Sequence, residues 1–439
     1  MQAPLRSPKP FIIEIRKSRM PRRRKKPTDP AEIARKVATK CYLPTTRLIL
    51  DLVRRHKGNF RVSYAITGVA LDQFEAFCPE VIDVFKELAA TGCCEFIAET
   101  YYHSLSFLYS PEEFREQVAM HTRRVQQLFG QTPVVFRNTE LIYSNQLAHE
   151  LCQIKDDQGN PRFYGAICEG TDRNLAYRSP NYVYKPPKWD AFNAGDFRDL
   201  TGRDGKLFKL LLKNYRLSDD IAFRFSNRGW AEWPLSAEKF AQWVNQINGD
   251  GFLCNLFMDY ETFGEHQWED TGIFKFLEKL PEAVFDIAPG QNHFITPTQA
   301  MQQFEPVGEY DVHDFISWAD MERDLSAWRG NAMQDNASAE TYRLEKPIKD
   351  KLARALADYQ RQHHAPAPAS LPDTHPVSQA RHLLADWRKL TTSDHFYYMC
   401  TKYWSDGDVH KYFSHYDSPY DGYINFMNVL DHVRQRLAQ

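Results

Sequence analysis

From residue 31 to about residue 300, short apolar runs alternate with longer amphipathic stretches, and this alternation restricts the fold more than any other feature of the chain. The runs Arg61–Ile66, Cys93–Ala98, Pro133–Arg137, Phe163–Cys168, Asp220–Phe225 and Phe252–Met258 are rich in β-branched and aromatic residues and too short for ordinary helices, so they are read as strands. Between them, Pro44–Arg55, Ala70–Ala90, Pro111–Leu128 and Ser236–Gln246 carry helical patterning. Strands that alternate with helices imply parallel pairing through crossover helices, in an open sheet or a barrel.

Several of these strands end in acids. Glu99 follows the second, Glu140 the third, Glu169 and Asp172 the fourth, and Asp259 the sixth. A parallel barrel gathers such ends at one mouth, where its active site is built.

Beyond residue 300 the character changes. Residues 301–345 hold polar and aromatic clusters around Trp318 and Trp328, and residues 346–364 read as a helix. The Pro-rich stretch 365–376 reads as a connection, followed by helical patterning over 377–439. The expected organisation is an atypical basic segment over 1–28, a catalytic domain over 29–300, a connecting segment over 301–345 and a helical C-terminal domain over 346–439.

Charge narrows the function classes. Residues 1–27 carry ten Lys and Arg against Glu14 alone, a net +9, while the whole chain is −2, leaving −11 for the remainder. An acidic body argues against nucleic acid as its partner. No apolar run reaches the roughly 20 residues that span a bilayer, and the Phe11–Ile13 run is too short for a secretory leader. The eight cysteines show no metal-binding spacing and sit among apolar segments, as buried thiols do in a reducing cytoplasm. A cytoplasmic location is therefore expected.

The aromatic supply, 29 Phe, 22 Tyr and 9 Trp, suits a large core or a sugar-binding cleft. Two segments favour attention to the cleft. Phe136-Arg-Asn-Thr-Glu-Leu-Ile-Tyr143 puts Glu140 just after a strand, and Phe257-Met-Asp-Tyr-Glu-Thr-Phe-Gly-Glu-His-Gln-Trp268 puts Asp259 at the end of another. Two carboxylates brought from separate strands to one cleft are the minimal equipment of a glycosidase. Two solvated loop acids would give the same pattern.

Together with Glu95-Phe-Ile-Ala-Glu-Thr-Tyr-Tyr-His-Ser-Leu105 and Thr392-Ser-Asp-His-Phe-Tyr-Tyr398, these segments resemble the conserved regions of glycoside hydrolase family 57, in the family's order. The likeness runs from about residue 30 to the C-terminus and is greatest to the α-amylase and 4-α-glucanotransferase branch. It implies an α/β fold, an incomplete (β/α)7 barrel with a C-terminal helical domain, acting on α-1,4-glucans or maltodextrins with retention of configuration. By that resemblance Glu140 matches the nucleophile and Asp259 the general acid/base. Glu95 and Asp394 match substrate-binding positions, and His103, Glu261, His266 and Trp268 lie in the same motifs. Bland alternatives stand beside these roles: a strand-flanking salt bridge for Glu95, an N-cap for Asp394, a core histidine for His103, and core packing for Trp268 and Trp318. No cofactor and no metal is expected.

One departure from the family is plain. Its first strand ends in His-Gln-Pro, and this chain contains no such tripeptide; its first histidine is His56. In its place stand Phe11-Ile-Ile-Glu-Ile15 and the basic run to Lys26. A mis-started coding segment, a divergent head that weakens substrate positioning, and a basic arm for an anionic partner all fit residues 1–28.

Three function classes follow. The first is an α-glucan hydrolase or transglycosylase, two activities that differ in whether water or a sugar hydroxyl accepts the glycosyl group. The second is a catalytically impaired glucan-binding protein. The third, a metal-dependent carbohydrate esterase, ranks low because His103, His121, His149 and His266 offer no close-spaced ligand pair. No Gly-rich phosphate loop follows a strand, which argues against nucleotide chemistry.

Overall fold

The computed structural model describes residues 29–190, 195–404 and 409–439. The basic head and its Phe11–Ile15 strand candidate lie outside the described residues. The chain divides into two units: one holds residues 29–101 and Arg115–Trp318, the other Tyr102–Phe114 and Ala319–Gln439. The 318/319 boundary falls inside the segment read as a connection.

Among the described residues, the first unit contains all six strands: β1 (Val62–Tyr64), β2 (Cys94–Phe96), β3 (Val135–Arg137), β4 (Gly165–Glu169), β5 (Val183–Tyr184) and β6 (Lys209–Lys213). β1 pairs with β2, and β3, β4, β6 and β5 form a second ladder. A parallel bridge from Ala98 to Phe136 joins the two, with Arg137 N–H donating to Ala98 O at 2.8 Å. The spatial order is thus β1-β2-β3-β4-β6-β5, parallel except for β5. Helices sit between successive strands, which is what parallel pairing demands.

Two sequence expectations are corrected. Asp220–Phe225 is helical: Asn214 caps Tyr215–Asp219, and the helix continues as a wider π-turn over Asp220–Arg224, where Arg224 Nε meets Asp220 Oδ1 at 2.6 Å. Its buried residues Ile221, Ala222 and Phe225 recur at helical spacing, which the short apolar run concealed. Phe252–Met258 forms no strand ladder among the described residues; Asn255 O accepts from Asn214 N–H at 2.9 Å, and Asn255 Nδ2 donates to Leu212 O at 3.0 Å. The reading missed two strands, the two-residue β5 and the longer β6, Lys-Leu-Leu-Leu-Lys, which is buried throughout. A continuous apolar run suits a strand covered on both faces. The expected 70–90 helix is two, Gly68–Phe77 and Pro79–Ala90, broken where Pro79 follows Cys78.

The core lies on both faces of the strands. Tyr42, Tyr64, Phe74, Phe85, Phe96 and Tyr260 pack between strands and flanking helices. A second cluster takes Ala65, Ile97, Val135, Ile167, Leu211 and Phe257, one from each successive extended segment. All eight cysteines are free, seven of them buried.

The second unit is helical, with Ala332–Arg343, Glu345–His363, Pro376–Leu390 and Pro419–Ala438 as its longer elements. Glu113 fastens it: Arg388 Nε and Nη2 donate to its two oxygens at 2.7 and 3.0 Å, and Lys349 Nζ lies 3.0 Å from Oε2. No helix among the described residues is long and apolar enough to cross a membrane.

Candidate active site

Side chains alternate with period two along extended chain, so the residues two beyond the apolar cluster point the same way. Those residues are Thr67, Glu99, Arg137, Glu169, Lys213 and Asp259. Thr67 caps a helix through its hydroxyl. The rest, in spatial order, alternate in sign: acid, base, acid, base, acid. Arg137 Nη1 is 3.2 Å from Glu99 Oε2, and Lys213 Nζ is 3.6 Å from Glu169 Oε2 and 3.5 Å from Asp219 Oδ1. A charged layer thus lies directly above an apolar one at the C-terminal ends of the strands, where parallel folds place their chemistry.

Glu140 is delivered to this layer by a strained turn. It and Leu141 have φ of 58° and 51°, left-handed values that cost L-residues roughly 1–2 kcal/mol each. The turn is held closed by Leu141 N–H to Asn138 O and Ile142 N–H to Thr139 O, both 3.0 Å, and by Asn138 Nδ2 donating to Ile142 O at 3.1 Å. Trp318 grips it twice: its backbone N–H donates to Glu140 O at 3.2 Å, and its indole Nε1–H donates to Glu140 Oε2 at 2.6 Å. Strain of this kind persists only where the surroundings over-determine it, and it gathers at functional sites.

Asp259 is half-buried at the start of the Tyr260–Thr262 turn. Residues 41–46 clamp that turn: Cys41 Sγ–H reaches Tyr260 O at 3.3 Å, the Tyr42 hydroxyl donates to Glu261, Thr45 donates to Phe263 O at 3.0 Å, and Thr46 meets the Tyr260 hydroxyl at 2.7 Å.

Arg137 feels the charge of both acids. Burial lowers its pKa, against the opposing charges of Glu99, Glu140 and Asp259. Its guanidinium lies 5.5 Å from the ring centroids of both Phe257 and Trp318. Glu140 and Asp259 both act electrostatically on this one buried cation. Neither Arg137 nor Lys213 was among the sequence candidates; the available signal was a charged residue closing an otherwise apolar strand.

The other candidates of the first unit are placed differently. Glu95 lies four residues before Glu99 on the same face of β2, so about 13 Å of extended chain separates them. Its carboxylate accepts from Thr298 Oγ1 at 2.5 Å and Thr298 N at 3.0 Å, at the start of the helix Pro297–Gln303. Burial raises the pKa of Glu95 and those bonds oppose the rise. Lys209, at the same end of β6, donates to Phe304 O at 2.8 Å beyond that helix. Glu95 is thus anchored to Thr298, four residues before Glu99 along the same extended segment. Glu261 is buried beneath Tyr42; His266 is half-buried, its backbone N–H on Glu261 O at 2.8 Å. Trp268 is 58% exposed, with Lys40 Nζ 4.9 Å from its ring centroid.

His103 and Asp394 belong to the helical unit. His103 is buried at φ 50°, and its carbonyl accepts from Ser393 N–H at 2.9 Å beside the Ser104–Thr392 bridge. Asp394 is half-buried in the first turn of Ser393–Tyr397. The residue preceding that helix is Thr392, so Asp394 is not its N-cap.

A family model described as glycosyl hydrolase family 57 matches residues 6–313. The chain belongs to glycosyl hydrolase family 57. By family it is a glycoside hydrolase. A curated protein of Methanocaldococcus jannaschii, described as "Putative alpha-amylase", is 41% identical over 403 residues, 91% of this chain and 75% of that relative. Among solved structures, the family 57-type branching enzyme of Pyrococcus horikoshii matches with a TM-score of 0.63 at 13% identity, over 95% of this chain and 92% of the other. The 4-alpha-glucanotransferase of Thermococcus litoralis matches with a TM-score of 0.54 at 13% identity over 83% of this chain, which spans only 53% of that enzyme's length. At such identities the likeness is one of fold, an α/β family 57 fold.

Proposed function

We propose that this family 57 chain is a retaining hydrolase of α-1,4-glucans, of α-amylase type. Glu140 attacks the anomeric carbon as Asp259 gives its proton to the departing glycosidic oxygen. The resulting ester between Glu140 and the sugar is then opened by water, which returns its proton to Asp259. Two inversions give net retention. The observation that carries this reading is the double grip of Trp318 on Glu140, on a turn whose cost is justified only if that carboxylate must stand in one place.

The name of the 41% identical relative supports the glucan substrate. The ladder order and the one-residue-per-segment apolar cluster support an incomplete (β/α)7 barrel for the first unit. Substrate contact by His103, Glu261, His266, Trp268 and Asp394 rests on the motif resemblance, and each alanine variant should raise KM for maltodextrins.

The test is incubation of the full chain with maltoheptaose, with products resolved by chromatography and their first-formed anomer read by proton NMR. Shorter products with retained α-configuration, lost at least about 1000-fold in Glu140→Gln, are expected. Longer products alongside would make the chain a 4-α-glucanotransferase. First-formed β-anomers would overturn the retaining assignment, and no products from the folded chain would favour a glucan binder.

A further inference from the structure

Trp318 holds Glu140, and a second residue holds Trp318. Lys213 closes β6, and its side chain is only 5% exposed. Its ion-pair partners are Glu169 and Asp219, at 3.6 and 3.5 Å, and its ammonium sits 5.0 Å from the Trp318 ring centroid. Neither partner is one of the reacting carboxylates.

We propose that Lys213 is a positioning residue for the glycosyl-transfer step, acting on Glu140 through Trp318. The ion pairs fix the ammonium at the end of β6, so the cation has little freedom to leave the ring. The indole face is drawn to that fixed charge, an interaction that strengthens when water is excluded. A positive charge over the ring also polarises the indole N–H toward greater acidity, which strengthens its bond to the Glu140 carboxylate. Arg137, 5.5 Å from the same centroid, and the Phe257 ring, at 5.8 Å, complete the setting of the indole. The chain of contact thus runs from Glu169 and Asp219 to Lys213, to Trp318, to Glu140 Oε2.

Nothing in this chain need touch the sugar. Its effect belongs on kcat, because misplacing the attacking oxygen by a fraction of an ångström leaves substrate binding almost intact while slowing attack.

The inference rests on Glu140 being the nucleophile, and a double-mutant cycle on maltoheptaose hydrolysis separates the two claims. Trp318→Phe removes the N–H donor but keeps a ring; it should lower kcat at least 10-fold with KM within about twofold of wild type. Lys213→Met should lower kcat in the same sense, and Lys213→Arg should restore most of it. If Lys213 acts through Trp318, Lys213→Met with Trp318→Phe loses no more than Trp318→Phe alone. Because Lys213→Met takes its cation from the buried Glu169 and the half-buried Asp219, Lys213→Met with Glu169→Gln is the second variant, and it should show the same kcat loss at near-normal thermal stability. Wild-type kcat in both Lys213 variants, losses that multiply in the cycle, or a fall confined to KM would overturn the inference. Full activity of Glu140→Gln would instead overturn the nucleophile assignment.

Discussion

Arg137 and Glu99 form an ion pair 3.2 Å long with no exposed surface on either side chain, at the ends of two adjacent extended segments that a backbone hydrogen bond already joins. The arrangement follows from alternation. Val135 and Ile97 face the apolar cluster, so Arg137 and Glu99 must face the same side one layer higher. Burying a single charge there would be prohibitive; interleaving acids and bases from neighbouring strands makes the layer sustainable. A floor of fixed charge results, and the left-handed turn that carries Glu140 follows it three residues beyond Arg137.

Removing only one member of that pair is expected to be expensive. Arg137→Met removes the cation that pairs with the fully buried Glu99 and should cost about 3–5 kcal/mol of stability. Adding Glu99→Gln should return a part of that loss, because the orphaned charge goes with it. Activity should stay depressed in both variants, since the cation beside the reacting acids is gone. Urea melts and maltoheptaose turnover on the two variants check this; full recovery of turnover in the double variant would contradict it.

A glycine secures the other carboxylate. Gly264 has φ of 113°, and a Cβ there would lie 2.0 Å from the carbonyl oxygen of Lys40. Lys40 immediately precedes the 41–46 clamp on the Asp259 turn. Gly264→Ala must therefore push the turn off its clamp, at a stability cost of about 2 kcal/mol or more. Misplaced Asp259 slows protonation of the leaving group, so turnover of maltoheptaose should fall much further than turnover of α-maltosyl fluoride, whose fluoride departs without a proton. Equal losses on both substrates would show that Asp259 was not the group displaced.

How much of this was legible beforehand depended on the kind of signal. Glu140 and Asp259 stood in motifs, and four of the six strands showed as short β-branched or aromatic runs. β6 hid because Lys209 and Lys213 bracket it, and charged ends read as solvent-facing until their partners Glu305 and Glu169 are known. Arg137 hid for the same reason. Its value lies in the segments it bridges, which are distant in sequence. The helical 220–225 stretch was misread because six residues are too few to separate period 3.6 from period 2. Glu95 was read through its motif, whereas its partner Thr298 lies 203 residues away.

Two histidines of the helical unit give its stability a definite pH optimum. Burial works against a charge on His410, but the hydrogen bond and charge of Asp320, with Cys400 nearby, push its pKa up to about 9. Lys402 and Glu322 share this corner, Lys402 Nζ lying 3.2 Å from Asp320 Oδ2 and 2.9 Å from Glu322 Oε2. A raised folded-state pKa stabilises below the ordinary value near 6.5 and is lost as pH climbs through 9. His395 is the converse: burial drives its pKa down to about 4, while its ring nitrogen bonds to Lys389 O at 3.2 Å. Unfolding lets it take up a proton, so stability falls as pH drops from about 6.5 toward 4. Each limb is worth at most about 3 kcal/mol. Thermal melts between pH 4 and 9 should peak near 6.5, and His410→Gln should flatten the alkaline limb while leaving the acid one. A melt indifferent to pH above 6.5 in the wild type would refute the His410 assignment.

The fastening at Glu113 predicts how the helical unit fails. Arg388 presents a planar fork to both carboxylate oxygens, while Lys349 meets Oε2 from another helix and also pairs with Glu345 at 2.9 Å. Glu113 is wholly buried, so it depends on these cations for what water would otherwise supply. Arg388→Met should cost about 3–5 kcal/mol. Arg388→Lys should recover only part of that, because an ammonium cannot reproduce two parallel N–H donors at fixed spacing. Glu113→Gln with Arg388→Met should be more stable than Arg388→Met alone, since the uncompensated charge is what costs most. Denaturant melts of the three variants decide the matter: a lysine variant as stable as the wild type would mean that charge alone, and not the bidentate geometry, holds Glu113.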